Sequence, residues 1–246
     1  MNLPAPLSLS VLEETGSTNS DLKQLARQGA PAGTALLARR QTGGRGRTGK
    51  SFCSPEGGLY LSLLLRPNGS AVKAASLTAA AAVAVCRVLE TQGVCGPRIK
   101  WVNDIFLRDK KICGILAESA INPDGTAQWV VIGVGLNLVP PAGGWPEELR
   151  GVAGAAFDRC DGACFDAIAG QLLTGLWELC RGPESREILQ EYRARSLVPG
   201  REIRVLQGET MRQAKALAID DEYRLLVQYD DGSSAALDSG LISVKL

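Results

Sequence analysis

The stretch Gln41–Pro67, QTGGRGRTGKSFCSPEGGLYLSLLLRP, decides how the chain is read. Arg45, Arg47 and Lys50 stand on a glycine-spaced backbone, with Arg39 and Arg40 just upstream and no acidic residue before Glu56. Glycine permits positive φ and close approach, so successive N–H groups can converge on an anion. Arginine adds a charged fork suited to phosphate or carboxylate. Thr34–Arg40 and Leu59–Leu65 are apolar, strand-like runs on either side. The reading is a strand, a loop built to hold something negative, and a second strand.

Gly44–Ser51, GRGRTGKS, also matches the phosphate-loop pattern G-x-x-x-x-G-K-[ST] letter for letter. That motif works only when a helix follows and turns its N-terminus to the phosphates. Here Pro55, Gly57 and Gly58 lead into a strand, and Trp129–Val134 runs into Gly135 instead of an aspartate for magnesium. The match is a coincidence of letters.

With 246 residues, 45% hydrophobic and 22% charged, the chain has the composition of a soluble globular protein with a substantial core. Its net charge is +1, so the positive character is local to the loop. Histidine is absent, which excludes Ser-His-Asp and Cys-His catalysis. Of seven cysteines, only Cys160 and Cys164 approach metal-ligand spacing, and no second pair accompanies them. Buried thiols in a reducing cytoplasm are expected. The N-terminus lacks a signal-peptide pattern, and Lys73, Arg87 and Glu90 interrupt the apolar stretch Ala71–Thr91, so no membrane role is expected.

Along the chain, Ser8–Leu12 reads as a strand. Thr18-x-x-Asp21 resembles a capping box for a helix that stops at Gly29 before Pro31. Ser17-Thr18-Asn19 is then either a simple cap or a polar cluster facing a ligand. Asn68-Gly69-Ser70 is turn chemistry, and Ala71–Gln92 is a helix buried against a sheet. Arg98–Leu107 is strand-like around Asn103-Asp104. Asp109-Lys110 turns into the strand Lys111–Ser119, which puts Lys111 on a rigid strand end unless it is merely a solvated edge. Pro123-Asp124-Gly125 turns into Gln128–Leu138, where Gly133-x-Gly135 marks close backbone approach. Val139–Ala156 is loop, with Trp145 covering either a ligand or the core. Helices are expected from Asp161 to about Cys180 and over Glu184–Arg195. After Pro199-Gly200, short apolar runs separated by turns such as Gln207-Gly208 and Asp231-Gly232 suggest a small antiparallel barrel.

Taken together, Ser17-Thr18-Asn19, Gln41-Thr42-Gly43-Gly44-Arg45-Gly46-Arg47, Ser54–Ser62, Lys100-Trp101-Val102-Asn103-Asp104, Lys111–Leu116 and Gly133–Asn137 closely resemble the biotin–protein ligases, over nearly the whole chain from about Ser10. The resemblance implies an α+β fold. Residues 1–198 would form the mixed-sheet catalytic domain of the class II synthetase-like biotin/lipoate ligase fold, and 199–246 an SH3-like β-barrel. It implies activation of biotin by ATP to biotinyl-5′-AMP, with Mg2+, and transfer to a lysine of a biotin carboxyl carrier protein. Ser17, Thr18, Asn19, Gln41, Gly44, Arg45, Gly46, Arg47, Lys111 and Gly114 would meet biotin. Arg45, Arg47, Lys100, Asn103, Asp104, Lys111 and Asn137 would meet ATP or adenylate. Lys111 and Arg47 would be catalytic, and Asp104 a metal ligand.

The same resemblance implies a short form without the DNA-binding domain of some relatives, hence no nucleic acid, with a homodimer as one of two assembly states. A lipoate- or octanoate-transferring enzyme of the same fold is the alternative, and an Arg-Gly nucleic-acid binder a distant third. The chain departs from the family at Val102, where proline is common and whose replacement should loosen a turn. It departs also at Phe52, in place of tryptophan, at Tyr223, in place of a turn glycine, and at Gly240-Leu241.

Overall fold

A two-residue alternation in the long strands sorts the chain into a core and a floor. The structure, a computed structural model, describes residues 3–67, 74–182, 185–208, 210–238 and 242–245. Its first part contains β1 (Ser8–Thr15), α1 (Thr18–Arg27), β2 (Thr34–Gln41), β3 (Gly58–Leu65), α2 (Ala74–Thr91), β4 (Arg98–Lys100), β5 (Asp104–Leu107), β6 (Lys110–Ile121) and β7 (Ala127–Asn137). α3 (Gly162–Cys180), α4 (Arg186–Arg195), β8 (Glu202–Gln207), β9 (Thr210–Ile219), β10 (Leu225–Tyr229), β11 (Ser234–Leu237) and β12 (Ile242–Lys245) follow. The expected turn Asn68–Ser70, Glu184 and the Gly240-Leu241 departure lie outside the described residues.

The first seven strands form one mixed sheet in the order β1-β2-β3-β7-β6-β5-β4. Among the described residues, β1 and β2 are the one pair of its strands that runs in parallel. Successive side chains on a strand point to opposite faces. Leu59, Leu61, Leu63 and Leu65 of β3 therefore join Val130, Ile132, Val134 and Leu136 of β7 in one core, against α2 and α3. Leu64 and Val131 take the other face, where α1 closes a smaller cluster through Leu22 and Ala26 with Leu36 and Trp129. Burial on both faces explains why β3 has no polar alternation. The exception is Ser62, on the α1 side with no exposure at all.

α2 is apolar enough by length and composition to cross a membrane, yet most of it is buried against the sheet and α3. Asp161 caps α3 by accepting from the Cys164 N–H at 2.8 Å, and Ser185 caps α4 by accepting from the Ile188 N–H at 3.2 Å.

The remaining strands form an antiparallel sheet in the order β11-β10-β9-β8-β12. Among the described residues β11 and β12 do not pair, so the sheet is open where a closed barrel was expected. This sheet is tied to the Trp101–Asn103 turn. Trp101 Nε1 donates to the Tyr223 carbonyl at 2.9 Å, and the Tyr192 hydroxyl donates to the Val102 carbonyl at 3.0 Å. The two tyrosine rings meet edge to face with centroids 5.8 Å apart. Tyr223 has φ 60°, which accounts for a glycine preference at that turn. Val102 is buried and its carbonyl is held, so the turn expected to loosen is pinned from both sides. Tyr192→Phe leaves the Val102 carbonyl buried without its donor. Urea unfolding should show a loss of about 1–3 kcal/mol, and an unchanged midpoint would assign the turn's stability elsewhere.

Candidate active site

The glycine-rich loop folds back on itself. Gly46 N–H donates to the Lys50 carbonyl at 2.7 Å and Phe52 N–H to the Gly44 carbonyl at 2.9 Å. A short 3-10 turn spans Arg47–Gly49, and residues 50–57 contain no helix, so the phosphate-loop match is a coincidence in the structure too. The loop borders a cavity of about 190 Å³ on the α1 face of the sheet.

Glycines on β6 and β7 make the floor of that cavity. Gly114 and Gly135 are cross-strand partners. A Cβ on either would meet the Phe52 ring at 2.8 or 2.5 Å, and a Cβ on Gly133 would meet Asn19 Oδ1 at 2.1 Å. Phe52 therefore lies flat across the floor instead of standing as a side wall.

One wall is polar and buried. Gln41 Oε1 accepts from the Thr18 N–H at 2.9 Å and from the Thr18 hydroxyl at 3.1 Å, while Gln41 Nε2 donates to Ser54 Oγ at 3.0 Å. The hydroxyls of Ser62 and Thr18 lie 2.8 Å apart, and Ser62 donates to Asn19 Oδ1 at 2.6 Å. Asn19 Nδ2 donates to Glu118 Oε2 at 3.0 Å. The expected capping box does not form. Ser17 is the N-cap without a side-chain bond, and Asp21 instead accepts from the Thr15 hydroxyl. Thr18 is drawn into the cavity wall because Gln41 offers it an acceptor there.

The opposite wall is cationic. Lys111 Nζ sits 2.7 Å from Asp104 Oδ1 and 5.6 Å from the centre of the Phe52 ring. Arg47 Nη1 donates to Asn103 Oδ1 at 3.1 Å, and Asn103 Nδ2 donates to the Ile115 carbonyl at 3.0 Å. Arg47 Nη2 is buried and, among the described residues, has no hydrogen-bond partner. Burial lowers the proton affinity of Arg47, and the nearby carboxylate of Asp104 acts against that. The backbone of Lys111 is clamped by Val152 and Gly154, at 2.8 and 2.9 Å. Asn137 Nδ2 holds the Gly154 carbonyl at 2.9 Å.

Residues 11–137 match the Biotin/lipoate A/B protein ligase family. The chain belongs to that family. It is similar to the bifunctional ligase/repressor BirA of Bacillus subtilis, 34% identical over 229 residues, covering 88% of this chain and 68% of the relative. It is 35% identical to the biotin--[acetyl-CoA-carboxylase] ligase of Mycobacterium tuberculosis, covering 88% and 82% of the two chains. The solved biotin protein ligase from Aquifex aeolicus in complex with biotin and ATP superposes with a TM-score of 0.76 at 26% identity, covering 97% and 98%.

In this biotin/lipoate ligase family member, most of the expected site residues line one cavity: Ser17, Thr18, Asn19 and Gln41 on one side, the Arg45–Arg47 segment, Asn103, Asp104 and Lys111 on the other, and Gly114 below. Gly44, Lys100 and Asn137 do not line it. Gly44 packs behind the loop, where a Cβ would meet the Phe52 carbonyl oxygen at 2.3 Å. Lys100 lies over the Phe106 ring at 5.7 Å, and Asn137 supports the backbone behind Lys111. Arg39 and Arg40 are turned away and paired with Glu13 and Glu14, at 3.5 and 3.0 Å. Trp145 is not part of the cavity lining. Sequence reasoning missed Ser62 and Glu118, although both sit at floor-facing positions that strand alternation identifies once the register is known.

Gly133→Ala drives a methyl group into Asn19 and should lower stability by about 1–3 kcal/mol. Gly16→Ala, with nothing within 4 Å of its Cβ position, should change it by less than about 0.5 kcal/mol. Thermal or urea denaturation of the two variants checks the contrast, and equal midpoints would remove the close-approach role from Gly133.

Proposed function

We propose that the chain is an ATP-dependent biotin–protein ligase. The observation that carries this reading is the buried, unpaired Arg47 Nη2, which shares with Lys111 the cationic wall facing a buried polar one. An unsatisfied buried cationic donor is costly until an anion meets it. The polar wall offers both donors and acceptors, as the fused ureido ring of biotin requires, whereas the acyl chain of lipoate or octanoate has no polar group to exchange bonds with them. The names of the relatives, and the biotin and ATP bound by the Aquifex aeolicus protein, support the same reading.

In this reading Ser17, Thr18, Asn19 and Gln41 hold the ureido ring, Gly114 makes room for the Phe52 ring beneath it, and Gly44 lets the loop pack closely. The biotin carboxylate oxygen attacks the α-phosphorus of ATP, and the bond to pyrophosphate breaks. Arg45, Arg47 and Lys111 neutralise the charge gathered as carboxylate and polyphosphate meet. Lys111, ion-paired to Asp104 before substrate binds, acts as a fixed positive charge instead of a base. Asn103 and Asp104 are assigned to the triphosphate, with Lys100 behind them, and Asn137 serves the adenylate side by supporting the backbone behind Lys111. A carrier lysine then attacks the acyl carbon, and AMP leaves.

Asp104 is the one acidic residue among those lining the cavity. Magnesium commonly uses one or two carboxylates plus substrate phosphates, so Asp104 fits that ion, which would offset polyphosphate charge. The acceptor is a carrier domain of a biotin-dependent carboxylase, and the setting is the cytoplasm. Residues 199–246 constitute a C-terminal SH3-like domain beside the catalytic domain of 1–198.

ATP–pyrophosphate exchange is expected with biotin and not with lipoate or octanoate, and exchange only with the latter acids would move the activity to the sister enzymes. Lys111→Ala should remain folded and lose about 10²-fold or more in exchange rate; turnover close to the parent's would exclude its role. Arg47→Gly should release biotinyl-5′-AMP faster, as measured by trapping free adenylate, and an unchanged release rate would take the closing role from Arg47.

A further inference from the structure

Glu118 lies on β6, four residues after Gly114, and is not among the residues lining the cavity. Three groups converge on it from two segments of the chain. Asn19 of α1 donates its amide to Oε2 at 3.0 Å, Lys23 of α1 places Nζ 2.6 Å from Oε1, and Arg45 of the glycine-rich loop places Nη2 3.5 Å from the same oxygen. We propose that Glu118 is the positioning residue of the site: it holds the side chain of Asn19 in the cavity wall and keeps Arg45 in reserve until an anionic ligand takes Arg45 over.

Asn19 is locked from both ends. Ser62 delivers its hydroxyl proton to Oδ1, so the amide nitrogen must face Glu118, which as a carboxylate can only accept. Gly133 leaves room for this amide, because Asn19 Oδ1 occupies the place of its missing Cβ. Glu118→Gln leaves one acceptor oxygen for Lys23 and Asn19, which use one each, so its amide nitrogen meets one of these donors and the hold on Asn19 weakens.

The two cations are not equivalent. Lys23 is close and its side chain is only 14% exposed, while Arg45 is farther off and 51% exposed. Lys23 alone neutralises the carboxylate, which makes the charge of Arg45 surplus. A half-exposed pair at that distance is weak and exchangeable. A carboxylate or phosphate entering the cavity beside Arg47 therefore outcompetes Glu118 for Arg45, and the loop segment Arg45–Arg47 travels with it. Burial pushes the Glu118 carboxyl up, but the bonds from Lys23 and Asn19 and the charges of Lys23 and Arg45 together bring it below the usual range, so it stays ionised throughout.

The loop carries its own reporter, since trypsin cleaves after Arg45, Arg47 and Lys50. In the ligand-free protein, Glu118→Gln should speed cleavage in this loop about two- to fivefold, and Lys23→Met, which leaves Arg45 as the remaining cation on Glu118, should slow it by a similar factor. Glu118→Asp, which keeps the charge, should restore most of the protection. The inference about the ligand rests on the biotin-ligase reading. There, Glu118→Gln should raise the KM for biotin up to about tenfold through Asn19 with kcat little changed. Opposite shifts in cleavage support the proposal; shifts of the same sign, or none, overturn it. If Glu118→Gln does not fold, Lys23→Met decides alone, with slower cleavage in favour and parental or faster cleavage against. Opposite shifts in a protein that shows no biotin-dependent exchange would uphold the role of Glu118 and overturn the biotin reading.

Discussion

Side chains on a strand alternate between faces, and in β3, β6 and β7 that alternation separates a core from a floor. Leucine, isoleucine and valine fill one face. On the other, Gly114, Gly133 and Gly135 remove side chains so that the Phe52 ring and Asn19 can lie directly against the strands. A one-residue slip in register would put leucines into the cavity and glycines into the core. Burial of the apolar face therefore fixes the register, and the register places Ser62, Gly133, Lys111 and Asp104 around one space.

The cavity concentrates charge that a closed protein interior disfavours. Arg47 is buried with one guanidinium nitrogen unpaired, Lys111 is matched by Asp104, and Arg45 is shared with Lys23 on Glu118. Asp104 holds Lys111 and Glu118 holds Lys23 at close range, while Arg45 is held loosely enough for a stronger anion to take it. Electrostatic preorganisation in a partly desolvated site is the largest lever such chemistry has. The chain contains no histidine, and this arrangement needs none.

The second sheet is joined to this site through backbone carbonyls. Tyr223 and Tyr192 hold the turn that carries Asn103 and Asp104, one by accepting from Trp101 and the other by donating to Val102. A proline-to-valine change at Val102 therefore falls where the turn is already tied down.

The sequence by itself determined the strand–loop–strand unit, the buried helix α2 and the cap of α3 through local signals: periodicity, turn residues, and cations spaced by glycine. Most of the site residues were legible only through the resemblance of their motifs, taken in order, to the ligase family. The tertiary structure decided which local signals were kept. Thr18 and Asp21 carry the letters of a capping box, yet Gln41 and Thr15 bind them first. Arg39 and Arg40 are as basic as Arg45, but strand pairing with β1 sets them beside Glu13 and Glu14. Ser62 and Glu118 look ordinary in the sequence and acquire partners only across 43 and 99 residues of chain. A hydrogen bond or ion pair between distant segments has no local periodicity to announce it, and it exists only once the core has fixed the register of the strands.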